Sequence, residues 1–287
     1  MIVKKLTLTD TAYPKLLRDI PSPPQQLHYL GTTPGAWDEK PKVTIVGSRA
    51  VTPYGKAVTA KLARELAEQG VVIISGLALG IDAISHQAAL QAGGSCVAVL
   101  PSGLSTIYPA TNRQLAIKIL QTGGTLLSEY EDSMPSLKQN FIARNRIVSG
   151  MSNALLIVEA AEKSGTLHTA RFALEQGRDV LVVPGNITSP NSVGTNNLIK
   201  AGAIPVTCVQ DILDALHLQA GTSASFRHKS SDPDQQAVLD ALYAGLSDSQ
   251  DLLQHSGLDM GAYNTALTML ELEGKVRPLG NNQWSVS

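Results

Sequence analysis

The residues Gly47-Ser48-Arg49 follow an apolar run at 43–46 and precede a long amphipathic run at 54–69. A buried strand that leads through a loop of small residues into a helix leaves backbone N–H groups where a phosphate can bind. Arg49 adds a positive charge to this loop. The pattern therefore predicts an anion-binding turn.

Loops of similar composition follow four further apolar runs. They lie at residues 75–80, 101–103, 164–166 (Ser164-Gly165-Thr166) and 184–186. In open parallel sheets the ligand binds beyond the carboxyl ends of the strands. A single glycine after a strand usually marks only a turn, but several such loops together favour an extended binding crevice.

The segment that begins at Lys138 contains Phe141, Arg144, Asn145 and Arg146, and Phe141 is one of only 3 phenylalanines in the chain. An aromatic ring beside cations suits a single strand of nucleic acid. A base stacked on a ring contributes about 1–3 kcal/mol, while Lys and Arg bind the phosphates.

A structural explanation of the same segment stays open. Phe141 could staple its helix to the sheet, and Arg144 and Arg146 could pair with carboxylates such as Glu159 or Glu129. The position of Phe141 at the start of a helix, among cations, favours binding. For the two arginines the two explanations are nearly even.

Short apolar runs alternate with amphipathic runs from residue 43 onward. Strands are predicted at 43–46, 71–74, 96–100, 125–127, 155–158, 180–183 and 204–206, and helices at 55–69, 82–92, 112–121, 141–150, 166–176, 195–201 and 209–216. Strands that are apolar on both faces and separated by single helices are typical of a parallel sheet covered on both sides. The predicted fold class is α/β, with an extended, Rossmann-like, mostly parallel sheet.

Four segments are predicted along the chain. They are an N-terminal extension packed on the core (1–40), the Rossmann-like domain (41–217), a linker rich in Ser and Gly (218–233) and a winged-helix-like domain (234–287). The last domain shows helices at 234–243, 248–255 and 259–273, each opening on an Asp that can cap it, followed by a hairpin. Its third helix has few cations, which favours a partner-binding or regulatory role over DNA reading.

Composition limits the possible ligands. With 287 residues and a formal net charge of -1, the chain needs a local basic patch to bind any polyanion. Neither the G-x-G-x-x-G nor the G-x-x-x-x-G-K-[ST] pattern occurs, so no nucleotide cofactor is predicted. Cys96 and Cys208 stand alone in apolar runs and are predicted to be buried, without a disulfide. No apolar run approaches the roughly 18 residues of a membrane span, so a cytoplasmic protein is expected.

An ordered series of motifs resembles the DNA-processing protein A family, also called Smf. The motifs are V-T-I-V-G-S-R (43–49), S-G-L-A-L-G-I-D-A-I-S-H (75–86), I-Y-P with Asn112 (107–112), F-I-A-R-N-R-I-V-S-G-M-S (141–152), V-E-A-A-E-K-S-G-T-L-H-T-A (158–170), V-P-G (183–185) and G-T-N-N-L-I (194–199) with Gly202-Ala203. The resemblance covers about residues 10–216. The C-terminal module also resembles the winged helix that many members carry.

The resemblance implies a protein that binds single-stranded DNA during natural transformation, or competence, and loads the RecA recombinase onto it. It implies a homodimer without established catalytic activity or cofactor. By motif, Gly47, Ser48 and Arg49 would bind phosphates, and Lys138 and Phe141 would bind backbone and base. Arg144, Asn145 and Arg146 would shape or line the groove, Ser164, Gly165 and Thr166 would add backbone contacts, and Ile199 would lie on the face used for self-association and for RecA.

This sequence departs from the family pattern at three positions. Leu79 stands where an Arg is common, Pro101 where a Gly is common and Ile142 where a Pro is common. The stretch ahead of Pro14 is too short for the separate N-terminal helical domain of some members, so none is expected.

The alternative function is enzymatic. A related Rossmann family of nucleotide phosphoribohydrolases carries P-G-G-x-G-T-x-x-E at the turn after a comparable strand. Here Thr169 stands at the position of the catalytic Glu, which removes the carboxylate that the chemistry needs. An enzyme of this class is therefore disfavoured.

Overall fold

The computed structural model describes residues 2–218, 230–280 and 282–286, and the chain divides into two compact units, residues 1–221 and 222–287. The greater part of the predicted linker, residues 219–229, lies outside the described residues. Within the described ranges, none of the helices has both the length and the apolar character that crossing a membrane requires.

The first unit is built on a nine-stranded sheet. Its strands are β1 (Lys4–Thr7), β2 (Gln26–Gly31), β3 (Lys42–Val46), β4 (Val72–Ser75), β5 (Cys96–Leu100), β6 (Thr125–Ser128), β7 (Ala154–Ile157), β8 (Asp179–Val182) and β9 (Ile204–Pro205), in the order β1-β2-β6-β5-β4-β3-β7-β8-β9. Strands β3 to β9 are parallel, whereas β1 and β2 pair antiparallel. The chain proceeds outward in one direction through β4, β5 and β6 and in the other through β7, β8 and β9. The topological switch point therefore lies between β3 and β7.

Helices cover both faces of this sheet. They are α1 (Lys15–Arg18), α2 (Pro53–Glu68), α3 (Ile81–Gln91), α4 (Arg113–Gln121), α5 (Lys138–Gly150), α6 (Thr166–Glu175), α7 (Val193–Lys200) and α8 (Val209–Ala215). Alternate residues of a strand point to opposite faces. In β5, Ala98 belongs to the core cluster that includes residues of α2, α3, α4 and α8, while Val97 belongs to the cluster that includes residues of α1, α5 and α6. The predicted α/β class with a mostly parallel sheet is confirmed.

Two strands lie within the first 40 residues, where the sequence predicts none. Because several prolines interrupt this stretch, it shows little alternation, and the sequence predicts only an extension packed on the core. Strand β2 instead pairs with β6 and brings Leu27 into the core, with β1 outside it. Cys208 also differs from expectation, because its side chain is exposed, whereas Cys96 is buried as predicted.

The second unit contains α9 (Pro233–Tyr243), α10 (Ser249–Ser256) and α11 (Met260–Leu272), followed by the antiparallel pair β10 (Val276–Gly280) and β11 (Gln283–Val286). Each helix begins after an aspartate whose side chain accepts hydrogen bonds from backbone N–H groups of the first turn. The caps are Asp232, Asp248 and Asp259. The sequence predicts the first cap at Asp234, two residues after the observed one. Pro233 lies between them at the first helical position, which proline tolerates well.

The imidazole of His86, in α3, is fully buried, and neither ring nitrogen has a hydrogen-bond partner among the described residues. Burial lowers the pKa of His86 to about 3. The unfolded chain binds a proton at this ring below about pH 6.5, whereas the folded chain does not. The contribution of His86 to stability is therefore complete above that pH and is lost as the pH falls toward the folded pKa, by about 1.4 kcal/mol per pH unit.

We expect His86→Leu to reduce the dependence of the free energy of unfolding on pH by one proton between about pH 6 and 4. Urea titrations of both proteins across this range measure the slope. His168→Leu, at an exposed position of the same unit, controls for the loss of a histidine as such. Equal slopes for wild type and His86→Leu would show that the buried ring takes up its proton in the folded state.

Candidate functional site

A cavity of about 520 Å³ lies at the switch point of the sheet. We call it the switch-point cavity. Its walls come from the loop after β3, the loop between β4 and α3, the helix α5, the loop between β7 and α6, and the first turn of α6. The lining includes most of the predicted binding residues, namely Gly47, Ser48, Arg49, Phe141, Arg144, Asn145, Ser164, Gly165 and Thr166.

Two glycines allow the loops after β3 and β4 to approach each other closely. The backbone N–H of Ile81 donates to the carbonyl of Ser48 at 3.3 Å. A Cβ at Gly47 would lie 2.6 Å from Cγ1 of Ile81. Gly80 has a φ of +78°, and a Cβ there would collide with the carbonyl oxygen of Ser48. Small residues are thus required because the two loops are in contact.

Arg49 and Phe141 meet at the rim of the cavity. The Cζ atom of Arg49 lies 5.3 Å from the centroid of the Phe141 ring, which is the geometry of a cation–π contact. Arg49 itself is exposed, and Phe141 is half-buried. The ring of Tyr108 approaches Phe141 edge to face, with centroids 5.4 Å apart. Arg49 and Phe141, which are 92 positions apart in sequence, therefore form one surface.

Arg144 lines the cavity, but its guanidinium is buried and has structural partners. Nη1 donates to the carbonyl of Gly76 at 2.8 Å and to that of Val99. Burial lowers the pKa of Arg144 to about 10, so the group stays charged at neutral pH, and the nearby Asp82 opposes that shift. Burial likewise raises the pKa of Asp82, while Arg144 opposes it. The carboxylate that acts on Arg144 is therefore that of Asp82, and not Glu159 or Glu129, the two that the sequence suggested for the arginines.

Glu159 instead caps the start of α2. Its carboxylate accepts hydrogen bonds from the backbone N–H of Thr52 at 3.0 Å and from the Thr52 hydroxyl. A Cβ at Gly55, in the first turn of α2, would overlap this carboxylate. A negative charge is favourable at that end of a helix because it complements the helix dipole.

Arg146 does not line the cavity. Its guanidinium forms a bidentate pair with Glu129, at 2.6 and 2.9 Å, and donates to the carbonyl of Ser22 at 3.0 Å. These contacts are those of the structural explanation, pairing with Glu129, and the role of Arg146 in shaping or lining the groove stays a prediction. Lys138 is exposed at the first residue of α5 and also lies outside the lining.

Several cavity residues were not singled out by the sequence. The sequence marks Thr169 only as the residue at the position of a catalytic Glu, yet its buried side chain lines the cavity. Asn191 lies in a short 3-10 helix and donates from Nδ2 to the carbonyl of Ala50 at 2.9 Å, which joins two walls. No spacing signal marks Asn191, because its approach depends on how the chain returns after β8.

Ile199, on α7, does not line this cavity. Its side chain is half-buried and packs, with Leu198, against the core cluster that includes α1, α5 and α6. It lies near the end of the sheet at which β9 is the last strand.

Comparison with known proteins identifies the fold and the family. Residues 4–217 match the family described as DNA recombination-mediator protein A. The chain belongs to this family. Residues 222–282 match the DprA winged helix domain, which confirms the predicted C-terminal fold.

Relatives of this recombination-mediator family share extensive identity with the chain. Protein Smf of Escherichia coli (strain K12) is 50% identical over 175 residues, which cover 61% of this chain and 47% of that protein. DNA processing protein DprA of Bacillus subtilis (strain 168) is 39% identical over 214 residues, 75% of this chain and 71% of that protein. The match thus spans about half the length of the Escherichia coli relative.

Two solved structures of the family resemble the chain. DNA processing protein A from Streptococcus pneumoniae has a TM-score of 0.69 at 40% identity and covers 74% of this chain and 73% of that one. A Helicobacter pylori structure, described as giving insights into the single-stranded DNA binding mode of DNA processing protein A, has a TM-score of 0.67 at 36% identity. It covers 75% of this chain and 95% of that one.

The close approach of Arg144 to Gly76 leads to a prediction for this member of the family. A Cβ at position 76 would overlap the guanidinium. We expect Gly76→Ala to lower the free energy of unfolding by about 3 kcal/mol or more, because it displaces a buried cation from its partners. Urea denaturation measures the loss.

Gly165→Ala is the matched control on the same cavity. Gly165 has helical dihedrals, and nothing lies within 4 Å of a Cβ built there. Its free energy of unfolding should stay within about 0.5 kcal/mol of wild type. If Gly76→Ala and Gly165→Ala had equal free energies of unfolding, the prediction would be wrong, because the guanidinium of Arg144 would then find other partners.

Proposed function

We propose that this chain binds single-stranded DNA in the switch-point cavity and acts as a recombination mediator. The observation that carries the proposal is the contact between Arg49 and Phe141 at the rim of the switch-point cavity. A guanidinium beside an aromatic ring offers a phosphate contact and a base contact within one nucleotide.

The relatives support the same proposal. The Helicobacter pylori structure concerns single-stranded DNA binding, and the matching family is described as a recombination mediator. We infer from these a role in processing DNA during natural transformation. Loading of RecA onto incoming DNA is the further step that we propose for this chain.

The residues have separate roles in this proposal. Gly47, Ser48 and Arg49 bind a phosphate after β3. Ser164, Gly165 and Thr166 lie at the start of α6, where the helix dipole and backbone N–H groups favour an anion. These two loops belong to the adjacent strands β3 and β7. A backbone phosphate between them would therefore meet both loops at once.

The helix α5 supplies the remaining contacts. Lys138 is exposed at its first residue and can follow the backbone of the strand. Asn145 lines the cavity and accepts a hydrogen bond at Oδ1 from Nε of Arg144 at 3.3 Å. Arg144 and Arg146 position this helix through their buried and paired guanidinium groups, while Phe141 faces the ligand.

We propose binding rather than catalysis at this site. Among the described residues that line the cavity, Asp82 is the one carboxylate, and it faces Arg144 while accepting hydrogen bonds from the N–H groups of Gly76 and Ala78. Thr169 lies on the wall, at the position of the Glu of phosphoribohydrolases. A test for release of free base from nucleoside monophosphates distinguishes the two functions, and we expect none.

Phe141→Ala should weaken binding to a 20-residue oligo-dT by about 1–3 kcal/mol, because it removes a ring that can stack with a base and on which Arg49 lies. Fluorescence anisotropy measures the affinity, and thermal unfolding verifies the fold. Phe172→Ala is the matched control, since Phe172 is also a half-buried helical phenylalanine of the first unit but lies outside the lining. Equal affinities for wild type and Phe141→Ala would assign the ring to packing alone.

Self-association through the end of the sheet near Ile199 is proposed as part of the same function. A homodimer would present two cavities to one strand, and the same face would contact RecA. We expect Ile199→Glu to convert a dimer to a monomer in sedimentation velocity and to abolish acceleration of RecA filament assembly on single-stranded DNA. Ile187→Glu is the control, because Ile187 is already 88% exposed. A dimer that persists in Ile199→Glu would place the interface elsewhere.

A further inference from the structure

A small apolar slot lies beside the switch-point cavity. Its walls are the side chains of Leu79, Pro101, Tyr108, Pro109 and Phe141, and its volume is about 40 Å³. Leu79 and Tyr108 are exposed by 47% and 45% of their surface. Single exposed apolar residues are ordinary, but several that face one concave surface mark a binding site.

The slot and the cavity share Arg49, Phe141 and Arg144 in their walls. A ligand with a charged part in the cavity would therefore place its neighbouring part at the slot. The named walls of the slot are flat or apolar, and Arg49 and Arg144 are the only charged side chains in its lining among the described residues. A nucleotide fits this chemistry, because the two faces of its base are apolar and aromatic while its phosphate is anionic.

The two rings differ in what they offer to a base. One face of Phe141 is occupied by the guanidinium of Arg49, with Cζ 5.3 Å from the ring centroid. Tyr108 stands at 76° to Phe141, so one base cannot stack on both rings in parallel. The exposed ring of Tyr108 can accept a base while Arg49 stays on Phe141 and faces the phosphate.

We propose that the slot takes a nucleobase of single-stranded DNA, with Tyr108 as its base-contact residue. This inference rests on the proposed function of the switch-point cavity. The slot is too small to enclose a whole base, so the base lies across its mouth and contacts Tyr108 with its face. Stacking on a face is tolerant of sequence. It also selects for single strands, because in a duplex the faces of the bases are already stacked on each other.

The test compares two fluorescent ligands of equal length, oligo-dT and an abasic phosphodiester oligomer. Wild type should bind oligo-dT more tightly. Tyr108→Ala should weaken the binding of oligo-dT by about fivefold or more, as expected for the loss of one stacked base, while binding of the abasic oligomer stays the same. Tyr108→Phe, which keeps the ring, should restore the wild-type preference.

A second variant tests the slot independently of Tyr108. Leu79→Ala removes an exposed wall of the slot. It should also weaken the binding of oligo-dT without affecting the binding of the abasic oligomer. Arg49→Ala should weaken both ligands, because it removes a phosphate contact.

The outcomes separate the two levels of the proposal. If wild type binds neither ligand, the proposed function fails and the slot fails with it. If wild type binds oligo-dT but Tyr108→Ala and Leu79→Ala bind both ligands as wild type does, only the slot is overturned. Equal weakening of both ligands by Tyr108→Ala would likewise overturn it, since the ring would then support the phosphate site.

Discussion

The buried guanidinium of Arg144 joins the walls of the site to one another. From α5 it donates to the carbonyls of Gly76, after β4, and of Val99, in β5, and it faces Asp82 of α3. A buried cation is stable only with such partners, because an isolated charge in the interior is very costly. Phe141 precedes Arg144 by three residues on the same helix. The position of the half-buried Phe141 ring thus follows from the position of the buried charge.

Because buried cations need partners, only some of the cations at the site remain exposed to a ligand. Arg144 and Arg146 hold carbonyls and a carboxylate, which leaves Arg49 at the rim and Lys138 at the start of α5 as exposed cations of the predicted set. The chain has a net charge of -1 and so attracts a polyanion only locally. Binding that relies on few cations gains selectivity from backbone N–H groups and from base contacts, which suits an unpaired strand.

The charge distribution of the second unit does not favour the reading of duplex DNA. Its helices are capped by Asp232, Asp248 and Asp259, and α11 contains no Lys or Arg between Met260 and Leu272. Winged helices that read duplex DNA usually place cations on the third helix. Met260 and Leu272 are instead exposed by 61% and 77%. A partner-binding or regulatory role for this module stays the interpretation that its composition favours.

The sequence alone determined the fold class and nearly all elements after residue 40, because strands buried on both faces and amphipathic helices leave strong local patterns. It also identified the loops after β3 and β7, since small residues there report local backbone needs. Only the tertiary structure decided the hydrogen-bond partners of Arg144 and Arg146, the contact of Tyr108 with Phe141 and the positions of β1 and β2 in the sheet. Those outcomes depend on partners distant in the chain, and a side chain that can pair or bind equally well carries no local sign of which it does.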